Sequence, residues 1–278
     1  MMSEETPESG IPPDSYAPVT IPAAPAAIQG SSLWGWRDLA LFLPFAFLSL
    51  LASNLLVVVG YAALKAMAGG RVDAKAVQND PLFLLTLQLV FYALLFGFLY
   101  LLVVAHHRQP FWSSFRWRKL TARQTMGYFA GGFLLAVGVQ FSPTLLPDKQ
   151  DFPLEQMFTS PHVALALGGF ATLVAPFMEE LIFRGFLFSI FERQVGLLFA
   201  IVSTAVLFAA LHIPEYSGAW NHLLLVFLVG VVFSLARGLT GSLAPSVVLH
   251  FAYNLSLMTG LFFQTQHFRT LGIVVAHG

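Results

Sequence analysis

Three short stretches carry side chains able to do chemistry together. The first is Glu179-Glu180-Leu181-Ile182-Phe183-Arg184, two neighbouring carboxylates followed by a guanidinium; the second pairs Phe208 with His212; the third pairs His250 with Asn254. A carboxylate can take a proton from water, an imidazole can share it, and a carboxamide can donate to an oxyanion. Those are the parts required to add water to a carbonyl group. Helical spacing puts Glu180 and Arg184 on one face, where they can form an ion pair. Glu179 lies about 100° further round, near enough to Arg184 for its ionisation to be biased without being neutralised. Phe208 shares a face with His212, and His250 with Asn254. Each stretch has a plainer reading on its own: a solvated helix end, a structural histidine followed by Pro214 and Glu215, and an interhelical hydrogen-bond clamp. Their joint occurrence on separate apolar helices favours chemistry.

The elements that must position them are set by composition. Of 278 residues, 57% are hydrophobic, 28 are Phe, only 10% are charged and the mean hydropathy is +0.74, whereas an ordinary soluble domain is roughly 25% charged. A water-soluble globule of this size buries only about three quarters of its unfolded surface, so this chain reads as an integral membrane protein. It is expected to be all-α, a polytopic helix bundle. Disordered, collagenous and nucleic-acid-binding chains are excluded, the last because net charge is zero and no basic excess exists. The absence of Cys removes disulfides, thiolate zinc sites, iron–sulfur clusters and cysteine nucleophiles.

A helix needs about 20 apolar residues to cross the bilayer core. Uncharged apolar stretches occur at Leu39–Leu64, Leu82–Ala105, Thr125–Leu146, His162–Phe177, Gly196–Leu211, His222–Ala236 and Ala244–Phe263, which predicts seven spans. Met178–Phe191 is charged but helical in pattern and leaves room for an eighth crossing or a half-helix. Residues 1–33 hold six prolines, four acids and no Lys or Arg, a composition that predicts a disordered tail. Residues 34–159 then form the first three spans, 160–264 the part bearing the motifs, and 265–278 a C-terminal tail. Arg108, Arg116, Arg118, Lys119 and Arg123 place 106–124, and with it the N-terminus, in the cytoplasm, with 147–161 outside. Lys65, Arg71 and Lys75 oppose that assignment, partly offset by Asp73 and Asp80. Trp112, Phe115 and Trp117 alternate with Arg116 and Arg118, a mix suited to the headgroup layer. Gly127 and Gly131 form a GxxxG that predicts close helix packing.

The order EExxxR, FxxxH, HxxxN on successive late spans resembles the CAAX prenyl-protease and bacteriocin-processing superfamily, the Abi-type intramembrane glutamic endopeptidases. The resemblance covers roughly residues 160–264. It implies a glutamate-dependent peptidase with no metal and no cofactor, acting within the membrane lipid on a hydrophobic peptide or a lipidated protein such as a prenylated CAAX-type one. In that reading Glu179 deprotonates the attacking water, assisted by His212. Asn254, with His250, stabilises the oxyanion. Arg184 orients the glutamate pair, Glu180 supports it, and Phe208 packs beside His212. Relatives differ in substrate, so the motifs do not fix one.

Rival readings remain open on residues alone. HExxH, GxSG and intramembrane Asp pairs, the marks of other intramembrane proteases, are missing. A metal held by His212, His250 and Glu179 is conceivable. So are a non-catalytic immunity or scaffold protein and a proton-coupled transporter, although nothing in residues 39–146 repeats the motifs. At 1.5 Å per residue, Glu179 lies about 15 Å from a cytoplasmic surface near Ser189, Asn254 about 15 Å and His250 about 9 Å from one at Ala244. Those depths point to a cavity opening inward. His212, about 24 Å from Gly196, conflicts with them unless its helix starts earlier, tilts, or the surface is misplaced.

Overall fold

The computed structural model describes residues 33–69, 80–141, 159–216 and 219–269. The Pro-rich tail before Leu33, Arg71, Asp73 and Lys75, the end of the third apolar stretch with the loop after it, and the C-terminal residues from Thr270 lie outside the described residues. Among those described, every regular element is helical. In chain order they are α1 (Trp36–Met67), α2 (Pro81–Leu101, continued by a π-helical turn at Leu102–His106), α3 (Phe111–Ser114), α4 (Ala122–Gln140), α5 (Pro161–Gln194), α6 (Leu197–Leu211), α7 (Ile213–Tyr216), α8 (Trp220–Thr240) and α9 (Ala244–Gln264). Five of them, α1, α2, α5, α8 and α9, are long and apolar enough to cross a membrane. The 19-residue α4 is less apolar, and α6 is apolar but 15 residues long. The chain is an integral membrane protein.

Local chemistry explains the boundaries. Asp80 caps α2 through Leu82 N–H, with Pro81 at the first position. Thr121 and Gln124 form a capping box on α4, and Ser160 caps α5 ahead of Pro161. Gly241, at φ 61°, ends α8 in the left-handed conformation that glycine adopts without steric cost. The uncharged stretch ending at Ala236 proves too short as a helix limit, because α8 continues to Thr240 and takes Arg237 inside with it.

One end of the bundle gathers the basic loop, the start of α1 and two connections. Asp38 pairs with His107 at 2.7 Å, Arg116 with Glu192 at 3.2 Å, and Leu243 N–H donates to the Arg116 carbonyl. Trp34 packs edge-on to His107 and Phe186 and against Phe115. Phe115, expected among headgroups, is fully buried; its ring lies where a Cβ on Gly185 would be. Trp112 is the member of that trio left most open.

Helix α4 lies along α9. The close approach is made by Gly131 and Gly132: a Cβ on Gly132 would run into the Leu249 carbonyl oxygen. Gly127 faces open space, so the contact uses an adjacent glycine pair rather than the spaced GxxxG.

Candidate active site

The two glutamates sit on α5 between two π-helical turns, Phe170–Val174 and Leu181–Leu187. Pro176 explains the first. It has no N–H and its ring crowds the carbonyl four residues back, so the backbone widens just before it. Beyond it, Glu180 and Arg184 close a 2.9 Å ion pair with both side chains fully buried. Removing two charges from polar solvent is costly unless their remaining groups are also satisfied. Arg184 meets that demand through Nη2, which donates to the Gly230 carbonyl at 2.9 Å, and Nε, which donates to Ser234 Oγ at 3.3 Å. The guanidinium also lies over the Phe208 ring, 4.6 Å from its centroid. Arg237 braces the same region, donating to the Arg184 carbonyl and to Ser189 Oγ.

His250 joins the pair. Its Nδ1 lies 3.0 Å from Glu180 Oε1 and its Nε2 3.7 Å from Glu179 Oε2. An ionised carboxylate only accepts, so an Nδ1–H of His250 donates to Glu180, while Nε2 faces Glu179 beyond hydrogen-bond distance. The imidazole is stacked on Phe233, with centroids 4.6 Å apart, and is buried. Glu179 differs from its neighbour: its side chain is 19% exposed. Its other oxygen, Oε1, accepts a 3.1 Å hydrogen bond from the Tyr92 hydroxyl of α2. Asn254, one turn past His250, donates to the Ala171 carbonyl at 2.7 Å, across the first widened turn.

His212 caps the end of α6. Its Nδ1 bonds to the Phe208 carbonyl at 2.8 Å, and its Nε2 stands 4.0 Å from Glu215 Oε2. Its ring contacts that of Phe208 at 4.6 Å, and the Phe208 ring in turn meets that of His250 at 5.8 Å. Partial burial pushes the Glu215 carboxyl up, His212 pulls it back, and the Glu179 charge pushes it further up. All seven motif residues therefore fall in one neighbourhood. The imidazole beside Glu179 is that of His250, whereas His212 reaches the group through Phe208 and Glu215. Among the described residues no group of three or more His, Asp or Glu is placed to hold a metal ion.

Helix α6 begins no earlier than Leu197, and α5 runs past Ser189 to Gln194, so a count from one helix end does not fix the depth of Glu179 or His212. Contacts place Glu179 instead: His250 lies beside it, and Phe177, two residues before it, packs against Trp112 and Trp117 of the basic loop at 6.2 and 6.5 Å, so that loop folds back to the level of the glutamates.

Tyr92, Glu215, Phe233 and Arg237 carried no motif. Tyr92 is one aromatic in an aromatic-rich span; Arg237, a charge just past an apolar stretch, and Glu215, three residues after His212, gave the signals that existed. No curated protein and no solved structure matches the chain. Residues 161–256, which hold all seven motif residues, match the family model of the Rce1-like type II CAAX prenyl endopeptidases, and over that segment the chain is similar to the CAAX prenyl-protease family that its three motifs resemble.

Proposed function

We propose that the protein is an intramembrane glutamic endopeptidase that hydrolyses a peptide bond near the C-terminus of a membrane-anchored or hydrophobic peptide, without metal. The matched family is usually proteolytic. The observation that carries the reading is the division of labour between neighbouring glutamates. Glu180 is sealed and neutralised by Arg184, while Glu179 keeps a partly exposed carboxylate against His250 Nε2. In the reaction Glu179 removes a proton from water as the water oxygen bonds to the carbonyl carbon. The carbonyl electrons move to oxygen, where the second amide hydrogen of Asn254 and an Nε2–H of a doubly protonated His250 donate to the oxyanion. The oxyanion then collapses, the C–N bond breaks, and the amine leaves with the proton held by Glu179. His212, with Glu215 behind it, assists that transfer at the mouth of the site.

Seven crossings are proposed, α4 and α6 being the two below the length or hydropathy of the others, with the N-terminus and the basic loop in the cytoplasm. A hydrophobic or anchored peptide would then reach the catalytic groups from the bilayer; a prenylated C-terminal tail is the substrate type the family description supplies. The test is cleavage of a fluorogenic prenyl-peptide, with its unprenylated counterpart alongside, by protein purified in detergent. Glu179→Gln is expected to abolish turnover, a loss of at least 10²–10⁴-fold, while retaining the parent melting profile. Parent-level cleavage by that variant would refute the mechanism.

A further inference from the structure

The second helix lies outside the segment that matches the peptidase family, yet it reaches the reacting carboxylate. Tyr92 is 7% exposed, its ring is stacked on Phe170 at 5.9 Å, and its hydroxyl donates to Glu179 Oε1 at 3.1 Å. Gln88, one turn earlier on α2, interacts with the same hydroxyl. Packing does not require this oxygen. A phenyl ring would stack on Phe170 equally well, and a hydroxyl within an apolar span is costly unless it is bonded. We infer that the Tyr92 hydroxyl is a positioning group for the Glu179 carboxylate, so that α2 completes a catalytic site whose motifs all lie on later helices.

The inference rests on the proposed function and deepens it. A glutamate side chain turns freely about its last torsion. With Oε1 held by the phenol and Oε2 facing His250 Nε2 at 3.7 Å, that rotation is stopped and Oε2 is the oxygen turned toward the attacking water. Fixing a reacting group before the reaction removes an orientational cost from the barrier.

The experiment compares the parent with Tyr92→Phe, Tyr92→Ala and Glu179→Gln, all full-length and in detergent, by steady-state cleavage of the fluorogenic prenyl-peptide across pH and by thermal melting. Tyr92→Phe is expected to lower kcat by roughly ten- to a hundredfold, the worth of a hydrogen bond to a charged group. KM should stay within about twofold, because uniform binding is untouched. Melting should match the parent for Tyr92→Phe and fall for Tyr92→Ala, which also loses the ring. A parent-like kcat in Tyr92→Phe, beside an inactive Glu179→Gln, would overturn this inference alone. An active Glu179→Gln would instead overturn the function on which it rests.

Discussion

Helices α1 and α5 are both long and apolar, and they are built for opposite surroundings. In the most apolar window of α1 only 22% of residues are buried, against 50% for α5. Leu41, Phe47, Leu48 and Leu55 of α1 are each more than half exposed, and the residues it buries include Asp38, Ser49 and Ser53. On α5 the run Phe183–Phe191 is buried without a break and contains Arg184. Within lipid, apolar side chains gain little by leaving one oily phase for another, so burial follows close packing and the need of polar groups for partners. The helix that carries charges is therefore the one the others surround.

The largest effect that could break this comparison lies at Arg184. Arg184→Met leaves the Glu180 charge buried without its guanidinium, with His250 alone facing it, and is expected to cost about 3–5 kcal/mol of stability, measured as detergent melting temperature. Replacing both partners, Glu180→Met with Arg184→Met, should recover most of the melting loss but not the cleavage activity, because His250 Nδ1 then lacks its acceptor. A double variant no more stable than the single one would show that the pair does more than satisfy itself.

Matched leucine truncations sharpen the contrast. Leu181→Ala, at a fully buried position of α5, should cost about 2–5 kcal/mol. Leu55→Ala on α1, 65% exposed, should stay within about 0.5 kcal/mol. Equal losses would mean that the exposed face of α1 is covered by something other than lipid. Gly132→Ala should cost about 1–3 kcal/mol through overpacking and depress kcat as well, since it displaces α9 at the turn bearing His250. Gly127→Ala, in open space, should do neither.

The smallest effect concerns Glu215. Its carboxyl is raised above the ordinary range in the folded protein. Any stability this contributes is present while the group is protonated and is lost as pH rises through the folded value. Glu215→Gln should match the parent in acid and melt slightly higher above that window, by under about 1 kcal/mol for so exposed a group. Melting curves at pH 5 and pH 8 would decide it.

What the sequence revealed and what it hid follow the same physics. Glu179, Glu180, Arg184, His250 and Asn254 stood out because polar groups are rare in apolar spans, and the helical period placed Glu180 with Arg184 and His250 with Asn254 on shared faces. The all-helical fold followed from composition. Tyr92 was hidden because a hydrophobicity count treats a tyrosine among phenylalanines as one more aromatic, and its partner lies 87 residues away. The nearness of His250 rather than His212 to Glu179 depends on how three helices cross, which no spacing records. Phe115 misled because alternation with arginine looks the same at a membrane surface and in a loop folded back on the bundle.

The widened turn before Pro176 has a bearing on how this protein can change. Such a turn holds one residue more than the regular spiral needs, and so works as a slip joint. Losing a single residue from Phe170–Val174 would let that stretch close to ordinary pitch while the outer end of α5 and the glutamate pair keep their mutual bearing. The same loss anywhere in Ala175–Glu180 would swing the carboxylates by about 100°, away from both Tyr92 and His250. The glutamate pair thus sits on a stretch whose length is fixed, directly beside a turn whose length is negotiable.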